Sequence, residues 1–256
     1  MKVCVAQTRC IPGDIETNCS QITSLAEKAK SQGSYMIVFP EMMDTGYEVT
    51  AIQAKASPWP GLPFNTASRT AREFEIHIIV GLSEREKDKI YNSLAVFAPD
   101  GNLIAKYRKT HLMPIDPVNE TLLFKAGKSL EIVQIGDMRW GLMICYDLRF
   151  PEICRELISK GAEVLVVCSA WPFPREIHWE ILTHARAIEN QCYVIGSNRV
   201  GTDGPLTFCG SSRVIYPEGM LVETASPKQE QLLFVEIARE SVTSLRNQLP
   251  FLKDLK

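Results

Sequence analysis

A cysteine, a lysine and a glutamate, each closing a hydrophobic run, are the side chains of this sequence best suited to covalent chemistry on a carbonyl group. In Met143-Ile144-Cys145-Tyr146-Asp147-Leu148-Arg149-Phe150-Pro151-Glu152 an apolar run ends at Cys145, and Pro151 marks a helix start a few residues later. A thiol at such a junction is held rigidly at the edge of a sheet. The backbone N–H groups after it can point at a developing oxyanion, and a helix N-terminus favours the thiolate. In Lys106-Tyr107-Arg108-Lys109-Thr110-His111-Leu112 one of the three cations can stand where that negative charge develops. In Val38-Phe39-Pro40-Glu41-Met42 a carboxylate directly follows an apolar run. Desolvation there raises a carboxyl pKa and suits it to general acid–base work. Each segment also has a plainer reading: a packed cysteine ending a strand, a solvated basic strand end, and a glutamate capping a turn.

The elements that must place these groups are short. Runs rich in β-branched residues at 3–6, 36–39, 76–80, 94–98, 140–145, 164–167, 194–196, 214–216 and 232–237 read as strands. Residues 91–98 and 103–107, joined by Pro99-Asp100-Gly101-Asn102, read as a hairpin, and 216–220 as a second turn. Ile22, Leu25, Ala26 and Ala29 fall at helical spacing, with Gly33 as a stop. Further helices are predicted at 64–74, 151–160 and 175–190, the last with Ile177, Ile181, Leu182, Ala185 and Ile188 along one side. Helices alternating with strands and hairpins predict a mixed sheet, or two sheets, with helices outside. Strands apolar on both faces predict cover on both sides.

Composition narrows the function classes. The 256 residues carry 28 Lys and Arg against 30 Asp and Glu, a formal net charge of −2. That balance excludes the clustered positive surface that nucleic acid requires. A chain 45% hydrophobic and 23% charged is not disordered. With no repeat, low-complexity tract or linker, residues 1–256 read as a single domain. No apolar run approaches the roughly 18 residues of a membrane helix, and the N-terminus lacks the apolar stretch of a signal peptide. The expectation is a cytoplasmic protein whose eight cysteines are free thiols rather than four disulfides. Without a Cys-x-x-Cys pair or histidines at i, i+4, a zinc site is not expected.

Taken as a set, Phe39-Pro40-Glu41, Tyr107-Arg108-Lys109-Thr110-His111-Leu112 and Cys145 to Glu152 resemble, in order and separation, the signature of the nitrilase (carbon–nitrogen hydrolase) superfamily. The likeness runs from Ala6-Gln7 to the strand near Phe234. It implies an α/β fold, a four-layer α-β-β-α sandwich of two mixed sheets with helices outside. It also implies a Glu–Lys–Cys triad: Cys145 the nucleophile, Glu41 the general base and Lys109 the cation beside the oxyanion. The family's second glutamate is best matched by Glu120, in Asn119-Glu120-Thr121-Leu122-Leu123-Phe124-Lys125-Ala126-Gly127. The backbone N–H of Tyr146 would share the oxyanion. The implied reaction is amide hydrolysis through a cysteine thioester, releasing ammonia, with neither metal nor organic cofactor.

Ser169-Ala170-Trp171-Pro172-Phe173-Pro174-Arg175 and Ala185-Arg186-Ala187-Ile188-Glu189-Asn190-Gln191 resemble the ω-amidase branch, whose substrates are 2-oxo dicarboxylic acid monoamides such as 2-oxoglutaramate and 2-oxosuccinamate. Such substrates need a cation for the distal carboxylate, and a planar guanidinium suits it. Arg175, at a helix N-terminus where the dipole disfavours a cation, is the candidate anchor. Arg186 and Glu189, at i, i+3, read as a structural pair. Other readings within enzymes are a general aliphatic amidase, an N-carbamoyl amide hydrolase, or a Cys–His hydrolase using His111 or His178. Nitrile hydrolysis is disfavoured by the Trp171-Pro172 segment. A catalytically silent binding protein on the same scaffold is the reading from a different class, and the joint presence of Glu41, Lys109 and Cys145 speaks against it. The resemblance further implies a homodimer formed through the helices at 151–160 and 175–190, with 241–256 reaching a partner subunit.

Overall fold

Described over residues 1–254 in a computed structural model, the chain lays its strands into two six-stranded sheets and a two-stranded ribbon. The first half runs β1 (Lys2–Gln7), α1 (Ile15–Ser31), β2 (Met36–Val38), α2 (Val49–Lys55), α3 (Leu62–Glu73), β3 (His77–Glu86), β4 (Lys89–Phe97) and β5 (Leu103–Arg108). Next come β6 (Ile132–Ile135), β7 (Met138–Ile144), α4 (Pro151–Ser159), β8 (Val164–Ser169) and α5 (Glu176–Asn190). The remainder is β9 (Tyr193–Asn198), β10 (Val200–Asp203), β11 (Leu206–Cys209), β12 (Arg213–Ile215), β13 (Leu221–Thr224), β14 (Gln231–Glu236) and α6 (Arg239–Gln248). One sheet has the order β14-β1-β2-β3-β4-β5, the other β13-β12-β9-β8-β7-β6, and β10 pairs with β11 as the ribbon. Each sheet is parallel at its centre (β1-β2-β3 and β7-β8-β9) and antiparallel at its margins.

The two-residue period of the strands serves two cores at once. Val3, Val5, Met36, Val38 and Ile79 face the second sheet, where they meet Leu142, Ile144, Val166 and Ile195. Their neighbours Cys4, Ala6, Ile37, Phe39, Ile78 and Val80 face outward, onto Ile22, Ala26 and Ala29 of α1 and Ala67 and Ala71 of α3. Ile153 and Leu157 of α4 and Trp179 and Ala187 of α5 cover the second sheet's outer face. The layers are therefore α-β-β-α, as the family resemblance implies.

Several elements differ from the sequence-based expectation. The strand expected at 76–80 continues to Glu86 and pairs along its length with β4. Its second half is polar (Ser83, Glu84, Arg85, Glu86), so no apolar run marks it; Glu84 is nevertheless buried, where it binds Arg108 and Lys106. The expected strand 140–145 ends at Ile144, and Cys145 opens a 3₁₀ turn with φ +43°. On α5 the buried residues are Trp179, Thr183, Arg186, Ala187 and Asn190, whereas Ile177, Ile181 and Ile188 lie at least half exposed. Of the apolar side expected from periodicity, Leu182 packs against the core while these three isoleucines face away from it. In the expected C-terminal extension, 241–256, Val242 is buried and Arg246 donates to Gln191 O (3.1 Å) and Ala162 O (3.1 Å) of the same chain; its last two residues lie outside the described residues. All eight cysteines are free and buried. No helix among the described residues is long and apolar enough to cross a membrane.

Candidate active site

Strand direction brings the chemistry to one edge. β2 and β7 are central parallel strands, and β5, two antiparallel steps from β3, runs the same way as β2. Glu41, Lys109 and Cys145 each follow the C-terminal end of one of these three strands. Glycine permits the final approach. A Cβ on Gly81 of β3 would stand 2.6 Å from both Glu41 Cα and Pro40 O, so only glycine lets β3 pass beneath the glutamate turn. A Cβ on Gly127 would meet Arg108 O at 2.1 Å, immediately before Lys109, whose carbonyl accepts from Gly127 N at 2.8 Å.

Glu41, Lys109 and Glu120 form one buried cluster. Lys109 Nζ donates to Glu41 Oε1 at 3.0 Å and to Glu120 Oε1 at 2.8 Å, and all three side chains are at most 1% exposed. Asn92 Nδ2 donates to Glu41 Oε1 at 2.6 Å and more weakly to Glu120 Oε1 at 3.4 Å. Glu41 Oε2 accepts the Ala170 N–H at 2.7 Å. Glu120 is held on both oxygens, by the Tyr47 hydroxyl on Oε1 and by the Met113 N–H on Oε2 at 2.6 Å. The Cys145 thiol lies within the field of these charges.

Burial is the largest single influence on Glu41, Lys109 and Cys145. It pushes the Glu41 carboxyl above its ordinary value, against the charge of Lys109, which lowers it. Burial likewise disfavours the Lys109 ammonium, but Glu120 and Glu41 overcome it and hold the proton well beyond the usual lysine range. The Cys145 thiol is pushed up by burial and then by the negative charge of Glu41, with Lys109 opposing. Burial and the charge of Glu41 thus both favour the thiol form of Cys145 over the thiolate.

A narrow cavity opens at Cys145, lined also by Met113, Tyr146, Arg149, Trp171 and Arg175. Two guanidiniums thus share the cavity with the Cys145 thiol. Arg149 lies over the Trp171 ring (4.5 Å) and contacts His178 Nδ1 (3.2 Å). Burial lowers its pKa, and the charge of Arg175 adds to that effect. Arg175 is the N-cap residue of α5, with its backbone carbonyl accepting from Trp171 Nε1 at 2.8 Å. Neither arginine pairs with a carboxylate of the described residues, so both cations remain available to an anion. Tyr146 sits in the 3₁₀ turn after Cys145, whose opening N–H groups have no acceptor within the turn.

Of the sequence-predicted residues, Cys145, Tyr146 and Arg175 line the cavity, and Glu41, Lys109 and Glu120 form the buried cluster. Neither histidine hydrogen-bonds Cys145. His111 stacks on Phe150 (4.0 Å) and contacts Thr110 Oγ1 through Nδ1 (3.1 Å), and His178 is taken by Arg149. Arg186 does pair with Glu189 (3.0 Å), and it also donates twice to Leu148 O, tying α5 to the Cys145 turn. The sequence motifs leave Asn92, Tyr47 and Arg149 silent. For Asn92 a signal exists: it is polar inside an otherwise apolar strand. For Arg149 the signal is its place four residues beyond Cys145.

Comparison with known proteins agrees with this geometry. A carbon–nitrogen hydrolase family model matches residues 2–247. A Staphylococcus aureus protein described as a hydrolase in the agr operon is 34% identical over all of this chain and 98% of its own length. The 2-oxoglutaramate amidase of Bacillus subtilis is 31% identical, over 89% of this chain and 87% of that protein. A CN-hydrolase superfamily protein from Xanthomonas campestris, crystallised with an arsenic adduct in its active site, superposes with a TM-score of 0.93 at 28% identity, covering 100% of this chain and 97% of its own.

Proposed function

The chain belongs to the carbon–nitrogen hydrolase family, and on that premise we propose that it is an ω-amidase that hydrolyses small carboxylated amides through a thioester on Cys145. As a member of that family it is a hydrolase of carbon–nitrogen bonds other than peptide bonds, in linear amides. The finer reading concerns which groups act and on what.

The observation that carries the mechanism is the buried Glu41–Lys109–Glu120 cluster beside Cys145. Glu120 receives Tyr47, Lys109 and Asn92 on Oε1 and Met113 on Oε2. Glu41 receives Asn92 and Lys109 on Oε1 and Ala170 on Oε2. Of the two carboxylates Glu41 acts more strongly on the Cys145 thiol, so we take Glu41 as the base and Glu120, anchored by the larger number of donors, as the fixed counter-charge that orients Lys109. Glu41 takes the thiol proton as Cys145 attacks the amide carbonyl. Two of the three Lys109 N–H donors are engaged by glutamates, which leaves the third for the tetrahedral oxyanion beside the Tyr146 N–H. Glu41 then gives its proton to the departing ammonia and next activates the water that releases the acid.

The two arginines without acidic partners support a substrate bearing a carboxylate, of the class of 2-oxoglutaramate and 2-oxosuccinamate, over a neutral aliphatic amide. We place the enzyme in the cytoplasm as one catalytic domain over 1–256. Its free thiols suit a reducing compartment. The exposed apolar side of α5 suits pairing with a second copy. The test is ammonia release over a panel of 2-oxoglutaramate, 2-oxosuccinamate, a neutral short-chain amide and an N-carbamoyl compound. The expected result is preference for the 2-oxo acid amides, narrowed at least tenfold by Arg149→Ala or Arg175→Ala, at roughly 1.4 kcal/mol per tenfold. Equal turnover of charged and neutral amides would overturn the carboxylate reading, and activity retained in Cys145→Ala would overturn the thioester.

A further inference from the structure

Asp147 lies two residues beyond Cys145, in the 3₁₀ turn Cys145–Arg149, with its side chain fully buried. Four donors from two different parts of the fold converge on its carboxylate. Oδ2 accepts the Ile144 N–H at 2.9 Å and the Tyr107 hydroxyl at 2.8 Å. Oδ1 accepts the His111 N–H at 3.1 Å and the Thr110 hydroxyl at 3.3 Å. Ile144 ends β7 in the second sheet and directly precedes Cys145. Tyr107, Thr110 and His111 bracket Lys109 at the end of β5 in the first sheet. The facing sides of the sheets are largely apolar, and polar links between them elsewhere, such as Ser197 Oγ to Ala6 O (2.7 Å) and the Ala170 N–H to Glu41 (2.7 Å), do not join the Lys109 segment to the Cys145 turn.

A carboxylate is a poor choice for packing alone. The His111 ring lies 3.6 Å from it, and no lysine or arginine pairs with it among the described residues. Its burial is compensated by the four donors rather than by a salt bridge to lysine or arginine. What the carboxylate adds is direction, since four hydrogen bonds set the positions of both segments together. Cys145 needs such support, because it occupies the left-handed region at φ +43° without being glycine.

We propose that Asp147 is a positioning residue that holds the Lys109 segment and the Cys145 turn in one register, through Tyr107, Thr110 and His111 on one side and Ile144 on the other. The inference rests on the reading of Cys145 and Lys109 as the reacting pair. The experiment compares Asp147→Asn and Tyr107→Phe with wild type, Cys145→Ala and Lys109→Met, in the full chain. Active sites are counted by one-equivalent alkylation, so that kcat is expressed per reactive thiol, and KM and thermal unfolding are measured alongside. Misplacement by about 1 Å costs on the order of 100-fold in rate. The expected result is therefore kcat per site down about 100-fold in Asp147→Asn, down several-fold in Tyr107→Phe, and KM near wild type in both. A merely structural residue would lower the number of active sites and the melting temperature but leave kcat per site unchanged. That outcome in either variant overturns the proposal, and Tyr107→Phe decides alone if Asp147→Asn does not fold. Activity retained in Cys145→Ala would instead overturn the underlying assignment.

Discussion

Replacing Lys109 with methionine removes a charge while nearly preserving a side chain's length. The wild-type ammonium, 1% exposed, lies 3.0 Å from Glu41 and 2.8 Å from Glu120. Its loss leaves two buried carboxylates without a cation. Removing one partner from a buried ion pair costs about 3–5 kcal/mol. At roughly 2–4 °C per kcal/mol for a chain of this size, that is about 6–20 °C in Tm. The deficit has a definite pH dependence. Burial already raises the Glu41 carboxyl, and Lys109 works against that rise. Without Lys109 the folded-state pKa moves further above the unfolded one. A carboxyl raised in the folded state favours folding at low pH, and the benefit is lost as pH climbs through the folded value. The Tm deficit of Lys109→Met should therefore be largest near pH 8 and shrink toward pH 5. Scanning calorimetry on both proteins at several pH values measures it. On activity, loss of an oxyanion donor is worth about 3 kcal/mol, on the order of 100-fold in kcat. A Tm deficit equal at both ends of the range would refute the buried-charge account, and kcat within a few-fold of wild type would refute the oxyanion role.

Three further outcomes follow from the same geometry. Activity should fall on the acid side as Glu41 is protonated, with the limb of kcat/KM above the ordinary glutamate value of 4.5, because burial raises that carboxyl; Glu41→Gln should abolish turnover, and a limb at or below that value would count against Glu41 as the base. Limited alkylation mapped by mass spectrometry should modify Cys145 first, since it lines the cavity; uniform labelling would contradict this. Gly81→Ala should cost about 1–3 kcal/mol of stability through overpacking and lower kcat by displacing Glu41, because its Cβ would lie 2.6 Å from Glu41 Cα; wild-type kinetics would show that the turn can yield.

The strands that lead to the candidate site residues were readable because their apolar runs are local and bounded by turn residues. Lys109 and Cys145 were visible for that reason, and so was the helix at 151–160, with Pro151 at its start and Gly161 after it. The polar half of β3 was not readable: Ser83 and Glu84 are buried by ion pairing and hydrogen bonding to distant residues, which leaves no local hydrophobic trace. Periodicity also found an apolar side on α5 without revealing that three of its isoleucines face outward. A 3.6-residue pattern identifies a stripe, not the surface it will meet.

Residue type and position along the chain were enough to nominate the thiol, the ammonium and the carboxylates, and to imply the layered fold that carries them. By themselves the residue types could not rank Glu41 against Glu120, which only the family resemblance separated into base and second glutamate. The fold shows how each is held: Glu120 by Tyr47, Lys109, Asn92 and Met113, and Glu41 by Asn92, Lys109 and Ala170. Nor could the residue types show that Asp147 joins the two sheets or that Arg149 reaches the cavity without an acidic partner. Each of these facts concerns groups far apart in sequence. They are settled by which strand ends share an edge, how closely glycine lets the backbones approach, and which buried groups find a partner, and these properties exist only once the chain has folded.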